Sequence, residues 1–206
     1  MEIKASMVKH LREKTSAGIM DCKKALAATR GDIDEAIDYL RKKGLAAAAK
    51  KMGRVSKEGI IGSYIHPGGK IGVLVEVTCE TDFVAKTADF VELVKNIAMH
   101  VAAANPLYLD REAVPKNVVE KEREIYRSQA LDSGKPDKVI DKIVDGKMEK
   151  YFSDVCIPEQ SYVKDPDLTV SQLLNTVIAK VGENISIRRF TRYQLSEDLG
   201  DEKTEF

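Results

Sequence analysis

Asp82 and Phe83 are the pair of residues in this chain best suited to act on something outside it. They follow Ile71, Val73, Val75 and Val77, whose period of two marks a strand with one apolar face. The run breaks at Thr81, and neither the acid nor the ring continues the alternation. A carboxylate and a large ring at a strand-to-helix corner can probe another protein's surface. They can equally serve the fold alone, with Phe83 stapling the next helix to the sheet and Asp82 seated in its first turn. Asp82 is also a possible magnesium ligand, but one carboxylate beside a phenylalanine makes a weak metal site.

The remaining reactive side chains do not converge on a reaction centre. His10, His66 and His100 fall in separate elements, so a hydrolytic triad has no support. Cys22, Cys79 and Cys156 are scattered, odd in number and form no CxxC pair, which argues against structural zinc and against a disulfide framework. There is no GxxxxGK[ST] loop, no GxGxxG after a strand and no HExxH. Gly68-Gly69 follows Pro67 at a turn, where glycines serve geometry. No catalytic residue, metal or cofactor is expected, and the chain reads as one that binds.

Charge narrows the kind of partner. The 206 residues carry 33 basic and 33 acidic side chains, so no global field draws the protein to nucleic acid or to a membrane. No apolar run approaches the length of a membrane span, and residues 1–20 mix charges throughout, so no secretory leader is expected. Unpaired thiols suit a reducing cytoplasm. Residues 1–54 hold 13 basic against 7 acidic side chains, a local surplus that could hold RNA phosphates. Tyr39 is the one stacking aromatic there, and an acidic protein helix would meet the surplus as well, which favours a protein partner.

The elements that must position these residues follow from periodicity and punctuation. Met7, Val8 and Leu11 lie on one helical face, and Thr15 to Gly18 interrupts it. A second helix starts at Ile19 and ends at Gly31. Asp32 caps a third, with Ile33, Ala36, Ile37 and Leu40 at helical spacing and Gly44 as its expected stop. Leu45 to Met52 reads as a helical linker, and Gly53 to Lys57 as a boundary. Strand signals run from Gly59 to Ile65 and from Ile71 to Thr78 around His66-Pro67-Gly68-Gly69. Thr87 caps a helix with Phe90, Val94, Ile97 and Val101 facing the sheet. Residues 116–152 read as two antiparallel helices joined at Ser133 to Pro136, a protruding hairpin whose charged outer faces are chiefly solvated. Thr169 to Val181 is amphipathic, Gly182 closes it, and Asn184 to Leu195 is a third strand. Residues 196–206 are acidic and short of apolar side chains, an expected disordered tail. The class is α+β, divided as a three-helix domain at 1–53, a sheet core with packed helices and the hairpin at 54–195, and the tail.

Three runs carry a family resemblance. Leu11 to Leu26, Glu76 to Lys86 and Gly182 to Phe190 resemble, in order and separation, the signatures of bacterial elongation factor Ts, and the likeness extends from about Ile3 to Leu195. That resemblance implies a guanine-nucleotide exchange factor for elongation factor Tu, with a ubiquitin-associated-like N-terminal domain and no bond chemistry of its own. It implies that Thr81, Asp82, Phe83 and Val84 intrude beside the partner's magnesium, and that Lys23 helps dock the N-terminal domain. The partner would be engaged both GDP-bound and nucleotide-free. The chain is short for the family, with one sheet unit where longer members have two. Short members pair through the final strand region, which implies a homodimer and a two-plus-two complex. Thr191 stands where some of them carry a cysteine, so no inter-subunit disulfide is expected there. The competing function is a ribosome- or RNA-binding accessory protein without exchange activity.

Overall fold

The structure, a computed structural model, describes residues 3–15, 17–51, 53–134 and 136–198. Their elements are mixed helix and sheet, and the chain divides into two compact units. Among the described residues, the first gathers those within 1–60, 77–93 and 172–186, and the second those within 61–76, 94–171 and 187–206.

In the first unit, α1 (Ala5–Thr15), α2 (Ile19–Ala28) and α3 (Ile33–Ala49) enclose a small core of Leu11, Cys22, Ala25, Leu26 and Ala36, bordered by Met7, Val8, Ile33, Ile37 and Leu40. The apolar residues recur at helical spacing, so three short amphipathic helices bury one shared face. Asp32 caps α3 as expected, its carboxylate accepting the Glu35 N–H at 2.8 Å. Gly44 does not stop this helix, which continues through the alanine-rich segment to Ala49. Alanine is the strongest helix former, and Gly44 needs no positive φ here. It lies against α8 (Val170–Val181), where an added Cβ would touch the Ala179 Cβ at 3.5 Å.

Three strands, β1 (Glu58–Ile65), β2 (Ile71–Cys79) and β5 (Ile185–Gln194), form a sheet in the order β1-β2-β5. The hairpin between β1 and β2 closes where His66 N–H donates to Ile71 O at 2.9 Å, with Gly68 and Gly69 at positive φ. Leu195 N–H donates to Lys70 O at one end, and Thr78 bonds Ser186 at the other, so β5 runs antiparallel to β2. On β2, Val73, Val75 and Val77 are buried while Leu74 is half-exposed, the alternation of a sheet with one covered face. Helix α5 (Ala88–Ala104) buries Phe90, Val94, Ile97 and Val101 as its spacing demands. Gly62 makes the covering possible: a Cβ there would sit 2.4 Å from the Val94 Cγ1.

In the second unit, α6 (Lys116–Asp132) and α7 (Asp137–Val155) pack antiparallel around Ala130, Ile140, Val144 and Met148, with Tyr126, Tyr151 and Phe152 against them. Pairing of Arg123 with Asp145 and of Arg127 with Asp141 gives the same register from outside. Arg111 ties the base of this pair. Its guanidinium donates to Glu149 and Glu159 and lies 4.6 Å from the Phe152 ring centre. A small antiparallel pair, β3 (Ser161–Tyr162) with β4 (Asp165–Thr169), follows and was not foreseen, being too short to show a period. Buried His100 on α5 steadies it: His100 Nε2–H donates to Gln160 Oε1 at 2.9 Å, and Nδ1 accepts from Val163 N–H at 3.4 Å. Burial pulls the His100 pKa below the usual imidazole value, and the Gln160 bond offsets this in part. The residue sequence expected as an acidic tail falls, at 199–206, outside the described residues.

Candidate partner-binding corner

Strand β2 ends at Cys79, and Thr81 takes an extended conformation with φ −128° and ψ 153°. Thr81 is the N-cap of a single turn, α4 (Asp82–Ala85), its hydroxyl oxygen accepting the Val84 N–H at 3.4 Å. Val84 and Ala85 are buried and pin the turn from below. Thr87 finishes it, donating its hydroxyl to Val84 O at 2.7 Å and accepting the Phe90 N–H at 3.3 Å as α5 begins. Two capping threonines and two buried small side chains therefore hold one turn outward.

The turn displays Asp82 and Phe83. Phe83 is 77% exposed, which sets aside the reading in which it staples a helix to the sheet. An isolated exposed apolar residue is unremarkable in general, but a ring this exposed on a doubly capped turn costs no packing to use elsewhere. Asp82 pairs with Lys86 across one turn at 2.7 Å. That hydrogen bond, with the lysine's charge, holds the Asp82 carboxyl below the usual carboxylate range. It is ionised at neutral pH, and being fully exposed it is free to change partners.

Behind the display lies a lock that sequence reasoning missed. Glu183, in the turn between α8 and β5, accepts the Glu80 N–H at 3.1 Å, the Thr81 N–H at 2.9 Å and the Thr81 hydroxyl at 2.6 Å. The reverse bond runs from Asn184 N–H to Glu80 Oε1 at 2.7 Å. Buried Asn184 also donates its side-chain amide to Arg54 O at 3.0 Å. Arg54 in turn lies 3.6 Å from Glu80. Cys79 completes the hold, its thiol donating to Thr81 O at 3.1 Å. Burial first, then the nearby Glu183 charge, push this thiol's pKa up, so it keeps the proton it donates. The signal was in view: Glu183 and Asn184 belong to the third signature run, next to Gly182, which closes α8 at φ 84°.

Thr81, Asp82, Phe83 and Val84 are thus brought together in one turn, with the outer pair exposed and Val84 serving as anchor. Lys23 belongs to a different element, exposed on α2 beside buried Cys22. Near it on the same helix, Ile19 and Met20 are exposed at its start, and Asp21 pairs with Lys43 of α3 at 2.6 Å. Among the described residues no group of three or more His, Cys, Asp or Glu side chains is placed to hold a metal. None of their helices is long and apolar enough to cross a membrane. All three cysteines are free and buried.

The fold is a mixed helix-and-sheet one whose capped turn presents an exposed ring and a carboxylate, and no metal-binding cluster is placed beside it among the described residues. The family model described as Elongation factor TS matches residues 1–177. Relatives named Elongation factor Ts align along the whole chain: that of Geobacter metallireducens is 61% identical over 206 residues, covering 100% of this chain and 95% of its own. That of Geotalea daltonii is 58% identical over the same span and shares, and that of Heliobacterium modesticaldum is 57% identical over 99% of this chain and 95% of its own. The chain belongs to the elongation factor Ts family, and is a translation elongation factor.

Proposed function

We propose that this chain binds elongation factor Tu in its GDP form, disturbs the magnesium site with the Thr81–Val84 turn, and so speeds GDP release before GTP binds. The observation that carries this reading is the exposure of Phe83 on a turn whose neighbours are buried and capped. The ring would wedge between helices of the partner while the Asp82 carboxylate exchanges Lys86 for groups around the partner's metal. With its supporting shell displaced, magnesium leaves and the nucleotide's β-phosphate loses its clamp. No bond is made or broken by the exchange factor itself.

Energy limits what one side chain can do. Burying a phenylalanine contributes about 1.5–3 kcal/mol, roughly 10- to 150-fold in an equilibrium. Coupling is reciprocal, so whatever loosens GDP must equally be loosened by GDP when it returns. A broad grip is therefore needed to hold the nucleotide-free partner. Residues 1–53, read as a ubiquitin-associated-like domain, would supply part of it through Lys23 beside exposed Ile19 and Met20. Residues 54–195 would form the core and dimerisation domain, including the helical pair at 116–152.

A homodimer, giving a two-plus-two complex, fits the exposed Ile61, Ile65 and Leu74 on the uncovered face of the sheet. Light scattering at micromolar concentration should give twice the chain mass; monomer mass throughout would reject the dimer. We place the protein in the cytoplasm, where its three free thiols stay reduced.

The test of exchange is release of a fluorescent GDP analogue from elongation factor Tu with substoichiometric protein, repeated with Asp82→Ala and Phe83→Ala. Acceleration that falls in both variants is the expected result. Acceleration untouched by either would move the lever away from this turn, and its absence in the unaltered protein would remove the exchange reading.

A further inference from the structure

We propose that Glu183 is a positioning residue for exchange, acting through the turn that carries Phe83 and resting on the reading of that turn as the lever. A single turn such as α4 has too few internal hydrogen bonds to hold itself, because its nucleus costs more order than it returns. Its stiffness has to come from outside. Glu183 takes both N–H groups at the entry to the turn and the hydroxyl of its cap.

The third bond matters most. By donating to Glu183, the Thr81 hydroxyl turns a lone pair toward Val84 N–H, the cap bond of the turn. One carboxylate therefore sets both where the turn begins and which way its cap points. Bonds to a charged acceptor are the stronger kind. The Asn184–Glu80 bond returns from the same segment, so two adjacent residues clasp two adjacent residues. Glu183 does not need to touch elongation factor Tu to matter. Its effect would pass wholly through the direction of the Phe83 ring.

The experiment combines a double-mutant cycle with an amide-exchange measurement on the full chain. Glu183→Ala, Glu183→Gln, Phe83→Ala and the Glu183→Ala/Phe83→Ala pair are compared for maximal GDP-analogue release from elongation factor Tu, melting temperature, and hydrogen exchange of the amides of residues 80–84. Glu183→Ala should speed the Glu80 and Thr81 amides by about tenfold, each losing one charge-assisted bond. It should slow release by about 10- to 100-fold, the range expected for a misdirected contact. Glu183→Gln, which keeps one acceptor oxygen for the two amides but faces the Thr81 hydroxyl with a donor NH2, should restore amide protection more fully than release. In the Phe83→Ala background, Glu183→Ala should cost little more.

Full multiplication of the two effects would overturn the inference, since Glu183 would then act independently of the ring. So would unchanged amide exchange, or normal release by Glu183→Ala beside a strong loss in Phe83→Ala. Release untouched by Phe83→Ala would instead reject the lever reading, and the exchange role of Glu183 with it, while the amides would still report on the clasp. If Glu183→Ala does not fold, Glu183→Asp, one methylene short of its three donors, takes its place in the cycle.

Discussion

Replacing Phe83 with alanine separates a residue that holds the fold from one that holds a partner. The residue is 77% exposed in the free protein, so little of its burial energy is spent on folding. Full burial of a phenylalanine contributes about 1.5–3 kcal/mol, and the exposed share leaves about 1.2–2.3 kcal/mol to be gained on a partner's surface. Phe83→Ala should therefore weaken the complex with nucleotide-free elongation factor Tu by roughly 8- to 50-fold. The melting temperature should stay within about 2 °C, since a shift of that size corresponds to less than about 1 kcal/mol in a chain of this length. Calorimetric titration of nucleotide-free elongation factor Tu gives the affinity, stopped-flow release of a GDP analogue gives the kinetic consequence, and a thermal melt gives the stability. Affinity reduced less than about threefold would refute the argument, because the ring would then stay in water in the complex. A large drop in melting temperature would refute it differently, by showing that the ring packs within the fold.

Asp82→Asn keeps the shape of the corner and removes its charge; release should slow while the melting temperature holds, because the Asp82–Lys86 pair is fully exposed. Normal release by this variant would mean that the carboxylate's charge is not used. Gly59→Ala should destabilise more than Gly62→Ala in thermal melts. At Gly59, φ is +142° and the new Cβ would lie 2.2 Å from the Val77 carbonyl oxygen, which is backbone, whereas at Gly62 it meets the movable Val94 side chain at 2.4 Å. Overpacking of the Gly62 kind costs about 1–3 kcal/mol. His100 gives the pH dependence. Its folded pKa is lowered by burial, so below the ordinary value near 6.5 the unfolded chain takes up a proton that the folded chain resists. Its neutral form's contribution is intact above that value and is lost as pH falls below it. Melting temperature should therefore drop between about pH 7 and pH 5 by more in the unaltered protein than in His100→Gln, and equal slopes would contradict the assignment.

The family, the mixed class and the order of the longer elements were legible in the chain, while the short β3–β4 pair was not. Helix caps such as Asp32 and Thr87, the apolar stripe from Phe90 to Val101, and the turn at Gly68-Gly69 depend on residues within about one turn of each other, and short-range order of that kind survives in linear sequence. Gly44 misled because its conformational freedom is local information, while the alanines after it and the closeness of Ala179 decide that the helix continues. The corner was likewise half-readable. Sequence placed an acid and a ring after a strand, yet left open whether the ring faces inward or outward, because one residue has no period. Exposure of Phe83 became definite only when Val84 and Ala85 took the buried positions beneath it. The clasp lay further out of reach: Glu183 meets Thr81 across 102 residues, and His100 meets Gln160 across 60. Composition and periodicity determine which segments can be helices and strands. Which carboxylate reaches which backbone N–H is decided when hydrophobic burial packs those segments together, since hydrogen bonds act over about 3 Å whatever the separation along the chain.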